Sequence, residues 1–110
     1  MMDYTKYVGM HFNKPDACVS LAILISNEMF QRDIPPLDIK QSLEYLRTHL
    51  VHTETPVEGD VILMKGEEWH VGIIIASGCM IHTFMDGSAI IEKYNGLFWK
   101  NRIRGYYTWI

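Results

Sequence analysis

The chain of 110 residues has only two cysteines, no long apolar run and no surplus of one charge, and each shortage removes a class of protein. Cys18 and Cys79 cannot make the disulfide framework that holds small secreted folds together. The longest apolar stretch, near Leu21 to Ile25, falls far short of the ~18 to 20 residues that cross a bilayer, so no membrane span is expected. Lysine and arginine total 10 against 13 aspartates and glutamates, a formal net charge of −3, with no block of like charge. That balance disfavours electrostatic binding of nucleic acid, and Lys100, Arg102 and Arg104 read as a solvated rim. The N-terminal Met-Met-Asp-Tyr-Thr-Lys-Tyr lacks the basic-then-apolar order of a secretory signal. The expectation is a protein made in the cytoplasm of the producing cell and, if exported, released without a cleaved signal. No repeat, linker or low-complexity segment appears, and residues 1–110 read as one domain.

What is present suits a globular core: 48% hydrophobic and 21% charged residues. The first half is helical in pattern and the second strand-rich, which predicts an α+β domain. Residues 1 to 10 read as a short helix or arm. His11-Phe-Asn-Lys-Pro-Asp reads as a loop in which Asp16 can cap the next helix. A buried helix is predicted from Cys18 to about Gln31, with Leu21, Leu24, Ile25 and Met29 on one face and Ile34-Pro-Pro as its stop. Asp38 caps a second helix, Ile39 to about Leu50, striped by Ile39, Leu43, Leu46 and Leu50. His49 and His52 end it, where the macrodipole favours them, and read as solvated rather than metal-binding. His11 reads as an ordinary loop histidine. Strands are predicted at about Asp60 to Lys65, His70 to Ala76, Cys79 to Phe84, Ser88 to Lys93 and Arg104 to Trp109. Gly66-Glu-Glu, Ser77-Gly78 and Asp86-Gly87 supply turns between them, giving an antiparallel β-meander with the N-terminal helices packed on it.

Three residues stand out by their settings. Cys18 opens the first helix, His70 opens His70-Val-Gly-Ile-Ile-Ile, and His82 lies in Met80-Ile-His-Thr-Phe. A thiol at a helix start with imidazoles on neighbouring strands offers a nucleophile, its base and a group orienting that base. Free N–H groups and partial positive charge at the helix start lower a thiol's pKa and can hold the oxyanion formed at a carbonyl.

Register decides whether the imidazoles meet. A two-residue loop, Ser77-Gly78, pairs Ala76 with Cys79, sets His82 opposite Ile73 and turns it away from His70. A three-residue loop pairs Ile75 with Cys79 and sets His82 opposite Gly72, on the face of His70. Gly78 in the last loop position suits the longer loop, and Gly72 leaves room for the rings. Two other readings stand beside this one. Cys18 can be a plain core cysteine with two polar-partnered strand histidines, as Cys79 is expected to be a buried structural thiol. Alternatively Cys18, His70 and His82 can be three ligands of a catalytic zinc, although no closely spaced ligand pair accompanies them.

At these residues the chain resembles the NlpC-type cell-wall cysteine peptidases, a papain-like family. Tyr7-Val-Gly-Met-His-Phe and Pro15-Asp-Ala-Cys18-Val-Ser-Leu resemble the family's glycine–aromatic opening and its Asp-Cys-Ser-Gly-Leu nucleophile motif. Pro56-Val-Glu-Gly-Asp-Val-Ile-Leu and Trp69-His70-Val-Gly-Ile resemble its Pro-x-x-Gly-Asp and His-Val-Gly-Ile strands, and Gly78-Cys-Met-Ile-His82-Thr resembles the strand of its third member. The closing segment from Phe98 to Trp109 resembles the phage tail-assembly branch. The resemblance implies a papain-like fold and hydrolysis of peptide bonds in peptidoglycan stem peptides. Cys18 is then the nucleophile, His70 the base and His82 its orienting partner, with no cofactor or metal. It also implies tail-tip proteins as partners and a place in a virion tail. Departures are Ala17 for the family's aspartate, Ser20 for its glycine, a shortened glycine-rich loop, and Phe12 for a tyrosine that helps hold the oxyanion, unless Tyr4 or Tyr7 substitutes.

These departures suit a rival reading, a structural tail-tip or assembly protein that keeps the fold with little or no catalysis. A third reading keeps the machinery but changes the acyl group, giving an amidase, transpeptidase or lipid acyltransferase. Phe98, Trp99, Tyr106, Tyr107 and Trp109 would then form a partner surface, although such a set is more often half core.

Overall fold

Asp38 begins a helix because its side chain accepts from the Gln41 backbone while the Gln41 side chain accepts from the Asp38 N–H, a reciprocal capping box. Asp16, at the start of the preceding helix, makes no such side-chain bond; its carbonyl takes the Val19 and Ser20 N–H groups instead. The expected Asp16 side-chain cap is therefore absent. The computed structural model describes residues 3–13, 15–76 and 78–110. Met1, Met2, Lys14 and Ser77, which fall in the predicted arm, loop and turn, lie outside the described residues.

Among the described residues, a 3-10 turn at Thr5–Tyr7 leads to α1 (Ala17–Phe30) and α2 (Ile39–His49). Strands β1 (Leu50–Thr53), β2 (Val61–Lys65), β3 (Trp69–Ala76), β4 (Cys79–Thr83), β5 (Ala89–Lys93) and β6 (Ile103–Trp109) come after them. The fold is α+β, with one antiparallel sheet ordered β1-β6-β2-β3-β4-β5. Strands β2 to β5 form the expected meander. The last strand departs from it, crossing back to lie between β1 and β2. β1 is absent from the sequence prediction, because Leu50 continues the apolar stripe of α2 and only pairing with β6 makes it extended. His52 thus lies on a strand rather than ending a helix.

Helix α1 ends before the prolines: Gln31 turns left-handed at φ 52°, and the Gln31 and Arg32 N–H groups both return to the Ser26 carbonyl. The Asn27 amide then bonds both the N–H and the carbonyl of Ile34, holding the connection down. No helix among the described residues is long and apolar enough to cross a membrane.

Alternation along the strands divides the interior into two layers. Val61, Leu63, Val71, Ile73 and Ile81 pack with Val19, Leu21 and Ile25 of α1 and Leu46 of α2. Their strand neighbours Ile62, Met64, Ile74 and Met80 form a second cluster, covered by Tyr94, Trp99, Ile103 and Tyr106. The C-terminal aromatics are accordingly half-buried, apart from the exposed Phe98.

Candidate active site

Neither simple hairpin is what joins β3 to β4. At the turn Ala76 pairs with Cys79, as a two-residue loop requires, yet Ile74 pairs with Met80 and Ile73 with Ile81. The register slips by one residue between Ile74 and Ala76, and the irregularity at Ile75 restores the pairing that the three-residue loop would have given. Continued one step, that pairing sets Gly72 opposite His82. A Cβ on Gly72 would lie 3.2 Å from the His82 Cβ and 3.3 Å from Ile62 Cγ2, so Gly72, His82 and Ile62 share a face. Gly78 has the expected left-handed backbone, at φ 78°.

The consequence is direct contact between two of the three candidate residues. His70 Nε2 lies 2.7 Å from His82 Nδ1. His82 is almost wholly buried, and its Nε2 lies 2.6 Å from Oε1 of Glu92. The Trp99 indole N–H donates to that same oxygen at 2.6 Å, and the Trp99 ring stacks on His70 with 5.3 Å between centroids and 10° between planes. Among the described residues, Nδ1 of His70 has no hydrogen-bond partner. Burial, with the neighbouring His82 ring adding to it, pushes the His70 pKa down to about 4. Burial also holds His82 below its ordinary value, outweighing the opposing pull of Glu92.

Cys18 sits in the first turn of α1, buried where that helix packs against the sheet. Its thiol meets the backbone of Val71, the residue after His70. Among the described residues no hydrogen bond joins the thiol to either ring. The expected lowering of its pKa is overturned: burial raises it, and the opposing contributions of the Val71, Val19 and Cys18 N–H groups are smaller. Cys79 is a free thiol and half-buried rather than buried.

The tyrosines available to replace the missing oxyanion donor are committed elsewhere. Tyr4 donates to Glu58 and Tyr7 to Glu28, both at 2.6 Å. His11 lies with Phe12 against the β4–β5 turn, where it bridges to Ser88. No group of three or more histidine, cysteine, aspartate or glutamate side chains among the described residues is arranged to hold a metal ion.

Glu92 and Trp99 did not emerge from the sequence as site residues. A signal existed for Glu92: the pairing of Thr83 with Ala89 puts Ile90 opposite His82 and Glu92 diagonal to it on the same face. Trp99 carried none, because the turn segment after β5 has no register to count.

The sequence pattern of the NlpC/P60 family matches residues 6–108, and the chain belongs to that family. Membership points to cell-wall peptidase or amidase chemistry. Comparison with curated proteins gives no match.

Proposed function

We propose that this protein is a papain-like cysteine peptidase or amidase hydrolysing peptide bonds in peptidoglycan stem peptides. Cys18 is the nucleophile, His70 the general base and then acid, and His82 the group that orients His70. The observation that carries the reading is the 2.7 Å contact of His70 Nε2 with His82 Nδ1, which leaves His70 Nδ1 to take a proton. Burial disfavours charge on both partners, raising the thiol and lowering the imidazole, so the resting pair is neutral. The thiol therefore loses its proton to Nδ1 as the sulfur attacks the scissile carbonyl. His70 passes that proton to the leaving amine, the thioester so formed is opened by a water that His70 deprotonates, and His70 returns that proton to the departing Cys18 sulfur. With the Val19 and Ser20 N–H groups turned to Asp16, the Cys18 N–H beside the thiol is the backbone donor suited to the oxyanion.

The match over residues 6–108 and the single continuous sheet support reading 1–110 as one domain. The resemblance of the Phe98–Trp109 segment supports a setting in a phage tail tip, with other tail proteins as partners. One observation favours the rival structural-protein reading, the absence of a thiol–imidazole hydrogen bond among the described residues.

Alkylation of Cys18 by iodoacetamide across pH, in a Cys79→Ser background, separates the two. His70→Ala is expected to slow alkylation about tenfold or more if the imidazole draws the thiol proton. Cys18→Ser is expected to abolish release of peptides from peptidoglycan fragments. An alkylation rate indifferent to His70, together with no turnover, overturns the peptidase reading in favour of the structural protein.

A further inference from the structure

The hydrogen-bonded chain does not end at His82. Oε1 of Glu92 contacts His82 Nε2 and also receives the Trp99 indole N–H, each at 2.6 Å. An indole N–H can only donate, so that oxygen acts as an acceptor. His82 must then present a proton on Nε2, and when neutral it has only Nδ1 left as an acceptor. His70 can satisfy the 2.7 Å contact with that nitrogen only by carrying its own proton on Nε2. A doubly protonated His82 would reverse this last link, but burial disfavours that form more strongly than Glu92 favours it.

We propose that Glu92, clamped by Trp99, is a positioning residue that sets the tautomers of both histidines and keeps Nδ1 of His70 unprotonated. The inference rests on the assignment of His70 as general base. Trp99 acts twice, holding the carboxylate by its N–H and fixing the His70 ring by stacking. Its edge-on contact with His82, at 5.4 Å and 89°, holds the second ring as well. Glu92 reaches this position from β5 because it lies diagonal to His82 across the β4–β5 ladder.

Long-range proton–nitrogen correlation spectra of the full chain at neutral pH read the protonated nitrogen of each ring without reference to turnover. Both rings of the wild type are expected to carry the proton on Nε2. Glu92→Gln is expected to keep that pattern, because Trp99 holds the amide oxygen where the carboxylate oxygen was. Glu92→Leu removes the acceptor and is expected to lose the single-tautomer signature at His82 and then at His70. The same variant should slow Cys18 alkylation about tenfold, part of what a positioned base contributes. Rescue by glutamine and not by leucine separates positioning from support of the fold. A proton on Nδ1 of His70 in the wild type, inverted tautomers in Glu92→Gln, or unchanged tautomers in Glu92→Leu overturns the proposal. Should Glu92→Leu fail to fold, the wild-type and Glu92→Gln spectra decide. The expected tautomers beside a Cys18 indifferent to His70 would leave the role of Glu92 standing and overturn the peptidase reading instead.

Discussion

The face of the sheet turned to α1 and α2 is built from branched aliphatic side chains, and both Cys18 and Cys79 pack in that layer. The opposite face begins in the same way with Ile62, Met64, Ile74 and Met80, then passes into His70, His82, Glu92 and Trp99. Both faces come from the same strands, since successive side chains point to opposite sides. The comparison shows how one sheet separates two duties. Non-directional burial on the helix side supplies stability, whereas directional hydrogen bonds on the other side fix proton positions. Cys18 is the candidate site residue on the stabilising side, and its raised pKa results from that placement.

Four experiments would sharpen this contrast or break it. The largest effect is expected on the helix face, where Ile73→Ala removes a fully buried side chain and should cost about 2–5 kcal/mol in chemical denaturation. A loss below about 1 kcal/mol would mean that the helix layer is not the main source of stability.

Next comes acid sensitivity on the imidazole face. The unfolded chain protonates His70 near its ordinary 6.5, whereas the folded chain resists until about 4, so within that window the unfolded state binds more protons. Stability should therefore fall as pH drops from 6.5 towards 4, by up to about 3 kcal/mol from this group. Denaturation curves of His70→Gln should be flatter over the same range; equal slopes would remove the buried neutral imidazole from the account.

Gly72→Ala tests how closely the strands must approach. Its new methyl would press on the His82 Cβ and the Ile81 carbonyl, each at 3.2 Å. A cost of about 1–3 kcal/mol is expected, with the His70–His82 contact broken in the spectra. An unperturbed pair would show that the ladder yields without moving the rings. The smallest contrast lies in the helix caps. Asp38→Ala should cost about 1 kcal/mol, and Asp16→Ala should stay within about 0.5 kcal/mol because its side chain caps nothing. Equal losses would contradict the geometry of the two helix starts.

Local chemistry made much of this fold legible. The first helix was expected to end at about Gln31, and Gln31 does end α1 by adopting a conformation that non-glycine residues seldom take. Asp38 announced α2 because a capping box is contained within four residues. The turns at Gly78 and Gly87 located β3, β4 and β5 through residues able to adopt positive φ. The path of β6 was not legible, since nothing in Ile103–Trp109 says which neighbour it will choose.

By itself the sequence determined the α+β class, the helix that presents Cys18, and the adjacent strands that carry His70 and His82. These arise from backbone preference and hydrophobic period, which act over a few residues. Tertiary structure alone decided the slip at Ile75 that aligned the two rings, the arrival of Glu92 and Trp99 beside them, and the burial that holds the thiol neutral. Contacts between distant segments, and the removal of water from a group, exist only once the strands and helices have packed.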